Sequence, residues 1–338
     1  MRLYIDKANL ISFLNLREDI AYSDIYADCK RMIKRQLSVQ YNFPKEQWTD
    51  DDILKAWFLG ATDGCGYNDE ETIFVSDENA VYPQRPLKGT FYNQANLSQL
   101  SSVYLLDSDV SAIQRSHTVL AGGVGEEIET LKKLFCGNDY DYHKGYDLQD
   151  DCSFAGWQKL DEDGHILPCT DILVSDRYIF KNKDRIKNNL SVFLRLFGQK
   201  KGAKINLVIV SQNKNHQDGN NEDWQIWIRE FERELKYNKY CAAKITFVIS
   251  YDCPHDRIII TNYRTFKSGS SFVYFDAVGH RAKDCGNTLD VESLAKTDAE
   301  KYARNIIVKI QTIIDNLNSL KRSDDLIVGD KISSWLKF

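Results

Sequence analysis

No apolar run in this 338-residue chain approaches the roughly 18 to 20 residues that a membrane-spanning helix needs. The opening stretch from Met1 to Asp6 reads directly into a strand and lacks the apolar core and cleavage site of a signal peptide. Together these absences point to a cytoplasmic protein with no membrane partner. No Cys-x-x-Cys pair occurs either. The eight cysteines, at 29, 65, 136, 152, 169, 241, 253 and 285, are irregularly spaced, so reduced thiols are expected rather than disulfides. A zinc site needs clustered Cys and His ligands, and the closest group is only Cys253 with His255. Repeats and low-complexity tracts are also missing.

What is present is an ordinary globular composition, 43% hydrophobic and 28% charged. The net charge of −5 is unevenly spread. Residues 165–338 carry 28 Lys plus Arg against 21 Asp plus Glu, and residues 1–164 carry 16 against 28. This suggests two modules, the second attracting anions and the acidic first half meeting a protein partner. Solvated surface charge accounts for the asymmetry equally well.

The first half, taken as residues 1–150, reads as a separate α+β domain. It has a short strand at Leu3-Tyr4-Ile5 and a helical pattern from Ser12 to Leu37. A helix begins near Thr49, with Ile53, Trp57 and Phe58 facing a core. Irregular structure from Ala61 to Tyr92, a buried strand at 103–106 and a helix near 126–135 follow. The Asp-, Gly- and Asn-rich stretch 137–164 marks the boundary.

Residues 165–325 read as an α/β domain, a mixed sheet flanked by helices. Strands are expected at 171–175, 178–180, 204–210, 244–250, 257–263 and 271–275. Helices are expected at 186–197, 224–237 and 294–320, with Trp224, Ile226, Trp227, Phe231 and Leu235 on one buried face.

The chemistry concentrates in Cys253-Pro-His-Asp-Arg-Ile-Ile-Ile-Thr-Asn-Tyr-Arg-Thr-Phe-Lys-Ser-Gly-Ser-Ser-Phe272. His255 and Arg257 are two apart and share one face of a strand. A guanidinium beside an imidazole suits a phosphate: the first grips nonbridging oxygens while the second attacks phosphorus or moves a proton. Gly269 allows close backbone approach to a ligand, and Ser268, Ser270 and Ser271 offer hydroxyls. Lys181, Lys183, Arg185 and Lys187 form a basic stretch that fits an electrostatic phosphate contact. A solvated face is the plainer reading of that stretch.

The spacing of this segment resembles the phospholipase D (HKD) superfamily motif, H-x-K-x4-D-x6-G-S. His255 stands in the histidine place, Arg257 in the lysine place, Asn262 in the aspartate place, and Gly269-Ser270 in the Gly-Ser place. The resemblance covers about 160 residues. It implies a phospholipase D-like fold, a nucleophilic histidine, phosphate binding by its neighbours, and no metal or other cofactor. It also implies a homodimer, because two motifs must face each other and this chain has one. A nucleic-acid phosphodiester is the expected ligand, since no amphipathic lipid-binding segment is evident. By fold-level analogy, the setting is prokaryotic antiviral defence. Two departures bear on activity. Arginine keeps the charge but not the shape of lysine, and asparagine removes the carboxylate that would orient the histidine. The alternative is therefore a non-catalytic interaction or assembly subunit with an eroded site.

Two further patterns compete. The segment Ala121-Gly-Gly-Val-Gly opens a helix but lacks the Gly-Lys-Ser/Thr of a Walker A loop. Asp6 and Asn9 resemble the opening of PIN/NYN-type nucleases, with Asp107 and Asp109 as further metal ligands; an ordinary helix cap is the simpler expectation. Tyr140, Tyr142 and Tyr146 form either a partner-binding loop or a solvated one.

Overall fold

The computed structural model describes residues 1–35, 37–41, 43, 46–59, 72–74, 102–105, 121–124, 143–147, 153–180, 186–199, 204–212, 221–236, 241–276, 278, 280, 282, 288–319 and 326–338. Leu3 and Ile5, two residues apart, are both buried, as a strand with one face on a core requires. Their strand, β1 (Arg2–Ile5), is central in a five-stranded parallel sheet. The others are β2 (Ser38–Tyr41), β3 (Thr72–Phe74), β4 (Ser102–Leu105) and β5 (Ala121–Gly122), in the order β3-β2-β1-β4-β5. Parallel neighbours need crossovers. Helices α1 (Lys7–Asn15) and α2 (Ser23–Arg35) link β1 to β2, and α3 (Glu46–Thr49) and α4 (Asp52–Leu59) follow β2.

This half is therefore α/β, not the α+β arrangement expected, because helices alternate with parallel strands. The pattern expected from Ser12 to Leu37 is the end of α1, a short 3-10 turn at Leu16–Glu18 and α2. Ile53 is exposed, and Leu54 takes its expected place in the core. The strand Thr72–Phe74 falls within the stretch read as irregular. The helix expected near 126–135 lies outside the described residues.

The second sheet has eight strands in the order β13-β9-β8-β7-β10-β11-β12-β6. They are β6 (His143–Asp147), β7 (Asp171–Ser175), β8 (Lys204–Ser211), β9 (Ala242–Ile249), β10 (Ile258–Thr261), β11 (Arg264–Ser268), β12 (Thr288–Ser293) and β13 (Leu326–Gly329). Strands β7, β8 and β9 run parallel, and the remaining pairings are antiparallel. This mixed sheet with helices on its faces is the α/β class expected. Strand β6 belongs to it although it lies in the stretch expected to mark the boundary, on the side assigned to the first half.

Strand β7 is buried along its whole length, which is why it reads as a continuous apolar run. Ile172 and Val174 pack with α5 (Ser153–Glu162), α6 (Leu190–Gly198) and α7 (Asn221–Leu235). Leu173 turns to the other face and shares a cluster with Ile306 and Ile310 of the long helix α8 (Thr297–Ser319). Residues 178–180 form a turn rather than a strand, and 271–275 run as a loop with a single bridge at Phe275. Ile226 is exposed, off the buried face of α7 that Trp224, Trp227, Phe231 and Leu235 define. Among the described residues no helix is long and apolar enough to cross a membrane.

Candidate phosphate site at the tip of the central strand

Strand β10 runs antiparallel to β7, with Ile258 opposite Ser175. The residues just before β10 therefore meet the carboxyl ends of the parallel strands, the region where α/β sheets present ligands. The hairpin β10–β11 then returns the chain, so that Ser268 N donates to Arg257 O at 3.0 Å. In this way the fold gathers His255, Arg257, Ser268, Gly269 and Ser270 at one end of the hairpin.

His255 lies in an exposed bend, its ring centroid 6.4 Å from that of Tyr178 and nearly edge-on to it. The approach to it is pinned from behind. Arg177 donates to the Cys253 carbonyl from Nη2 at 2.7 Å and Nε at 3.2 Å. Cys253 itself is buried, its Sγ facing Val210 O, and burial pushes its thiol up to about 12, so it is neither a thiolate nor a ready metal ligand. Among the described residues no cluster of three His, Cys, Asp or Glu side chains suits a metal ion.

Arg257 is held on two sides. Its Nη1 donates to Gly269 O at 2.8 Å, and its guanidinium carbon lies 5.6 Å from the centre of the Tyr178 ring. Its Nε is buried and has no hydrogen-bond partner among the described residues. A buried donor left unpaired costs free energy.

The serines are partly engaged within the turn. Ser268 Oγ accepts from Tyr274 Oη at 2.5 Å and from Ser270 N at 3.3 Å, while Ser270 Oγ donates to Ser271 O at 3.4 Å. A Cβ on Gly269 would meet only Thr288 Oγ1, at 3.8 Å, so local packing does not require glycine there.

Asn262 is placed elsewhere. It follows the far end of β10, fully buried, and its Oδ1 accepts from the backbone N–H groups of Thr170 at 2.8 Å and Asp171 at 3.2 Å. The strand Ile258–Thr261 separates it from His255, and no described carboxylate makes a hydrogen bond to the imidazole. Asp256 turns to the opposite face, where it accepts from Tyr302 Oη at 2.9 Å and lies 3.8 Å from Lys309. Burial and that hydrogen bond push the Tyr302 phenol up to about 12. Lys181, Lys183 and Arg185 lie outside the described residues, and Lys187 is exposed.

The structure adds residues that the motif does not contain: Asp176, Arg177, Tyr178 and Ser271. Asp176, the first residue beyond β7, is buried and accepts from Ser271 Oγ at 2.6 Å, Phe272 N at 2.9 Å and Tyr178 N at 2.9 Å. Burial raises its carboxyl above the ordinary range, opposed by those hydrogen bonds and by the nearby Arg257 charge. One signal was available in the sequence: an acidic residue directly after a continuous apolar strand marks a sheet's ligand-binding end.

The rival nuclease-like opening is accounted for locally. Asp6 Oδ1 caps α1 by accepting from Asn9 N at 2.7 Å, and Asn9 Oδ1 accepts from Val124 N at 2.8 Å. Asp107, Asp109, Tyr140 and Tyr142 lie outside the described residues. The chain matches no protein-family model, and no curated protein matches it.

Proposed function

We propose that the second sheet is a phospholipase D-like domain whose site takes a phosphate of a nucleic-acid phosphodiester. The observation that carries this reading is the Arg257 guanidinium, held between Gly269 O and the Tyr178 ring beside an exposed imidazole. A guanidinium fixed in this way presents its remaining N–H groups to nonbridging oxygens at little entropic cost. In the hydrolytic form, a His255 ring nitrogen attacks phosphorus and the bond to the leaving oxygen breaks. Water then resolves the phosphohistidine. The imidazole of a second copy in a homodimer protonates the leaving oxygen.

A second reading, a binding or assembly subunit without hydrolysis, draws support from Asn262. Its position beyond the far end of β10 leaves His255 with no described carboxylate to orient it. Both readings share the phosphate clamp and differ only at His255. A role in defence against mobile elements would follow from either by fold analogy alone.

The test is binding and cleavage of labelled single- and double-stranded DNA and RNA with EDTA present, comparing wild type, His255→Ala and Arg257→Ala. Hydrolysis is expected to survive EDTA and vanish in His255→Ala, while Arg257→Ala weakens binding. Binding without cleavage in the wild type selects the second reading. Binding untouched by Arg257→Ala rejects both.

A further inference from the structure

Arg257 depends on two supports, and both converge on a residue that no ligand need touch. Asp176 Oδ2 holds the loop after the Gly-Ser turn through Ser271 Oγ and Phe272 N, and Oδ1 holds Tyr178 N. The first support carries Gly269, whose carbonyl receives Arg257 Nη1. The second carries the ring against which the guanidinium rests. Asp176 is itself fixed, because its backbone N donates to Val210 O at 3.1 Å on the adjacent parallel strand. We propose that Asp176 is a positioning residue that presets Arg257 for an anion by locking both walls of its seat. This rests on the phosphate-clamp reading above and deepens it.

Two roles for a carboxylate beside a guanidinium make opposite predictions. As a positioning group it favours anion binding, since losing it frees the arginine. As a plain counter-charge it opposes anion binding, since losing it leaves the site more positive. Asparagine separates the two. Asp176 accepts on both oxygens, whereas an amide has one acceptor oxygen and one NH2. Whichever way the amide turns, a backbone N–H of one wall faces a donor and that wall is released.

The experiment uses the full chain with two readouts. The first is the Arg257 Nε–Hε signal in 15N NMR without ligand, where a buried group gives slow hydrogen exchange. The second is the affinity for a fluorescein-labelled single-stranded oligothymidylate. Asp176→Asn is expected to speed Nε–Hε exchange and to weaken oligonucleotide binding about tenfold, the worth of one well-made hydrogen bond. Ser271→Ala, which removes one bond to one wall, is expected to move both readouts the same way but less. It carries the test if Asp176→Asn does not fold.

Tighter binding by Asp176→Asn would show a counter-charge and overturn the proposal, as would an unchanged Arg257 signal. Unaltered binding by Arg257→Ala would instead reject the phosphate reading. The Nε–Hε signal would then still decide whether Asp176 positions the arginine.

Discussion

Asn262 and Asp171 belong to one buried polar cluster at the pole of the sheet opposite His255. Asn262 Oδ1 receives the N–H groups of Thr170 and Asp171, and its Nδ2 donates to Thr170 Oγ1 at 3.2 Å. Asn262→Asp removes that donor and buries a charge. The expected result is no gain of hydrolysis and a loss of about 1–3 kcal/mol in urea denaturation. A gain in cleavage would return Asn262 to the chemistry. Asp171 receives Ser334 N at 2.7 Å, Ser334 Oγ at 2.6 Å and Ser333 Oγ at 3.1 Å, anchoring the C-terminal segment beneath the sheet. Burial raises its carboxyl above the ordinary range, against the pull of those bonds. Its stability contribution is therefore full below the ordinary aspartate value of about 3.9 and declines as pH rises through the raised folded value. Asp171→Asn lacks that slope, so denaturation across a pH series should show the variant gaining on wild type from about pH 4 upward. The sequence motif could not separate these roles. Its spacing places Asn262 correctly along the chain, but a four-residue strand carries it away from the histidine. Asp176 stands 79 residues before His255, and only strand pairing brings it close.

Two glycines set how elements meet. Gly198 ends α6 against the last residue of α7, and a Cβ there would lie 2.1 Å from Leu235 O and 2.8 Å from its carbonyl carbon. Backbone cannot give way as a flexible side chain does, so the helix ends must part. The Arg195–Glu234 ion pair stitches the same two helices together. Gly198→Ala is expected to cost about 1–3 kcal/mol by the same overpacking logic as a crowded core, read as a lower urea midpoint. Gly329 combines two demands, a φ of +106° and a Cβ position 2.1 Å from Ile245 O. There the chain leaves β13 and Asp330 closes on Ile245, with Asp330 N donating to Ile245 O and Ile245 N to Asp330 Oδ2, both at 2.9 Å. At this scale the parallel strands β7, β8 and β9 were legible because burial on both faces over most of their length gives continuous apolar runs, whereas the short parallel strands β2, β3 and β5 were not. Strands β11 and β12 were not. Their polar positions, such as Thr265, Lys267, Asp290 and Glu292, dilute the apolar signal, and Lys267 and Glu292 meet as an ion pair across the sheet.

One hydrophobic cluster joins the two sheets. It contains Leu3, Ile5 and Val103 from the first, Leu10 and Phe13 from α1, Leu173, Val208 and Ile258 from the second, and Ile306, Ile310 and Ile314 from α8. The expectation of a separate first domain rested on the change of charge sign and the polar stretch near residue 150, and neither reports on buried contacts. A shared cluster predicts shared stability, because elements that bury the same apolar surface open together. Ile310→Ala tests this from one position. Removing a buried isoleucine side chain costs about 2–5 kcal/mol through lost transfer energy and the cavity left behind. If the sheets form one cooperative unit, amide hydrogen exchange in β1 and in β8 should accelerate by the same factor, and calorimetry should show one transition. Faster exchange in β8 with β1 unaffected would mean that the acidic half folds on its own. It could then be removed without disturbing the Arg257 seat beyond the tip of β7.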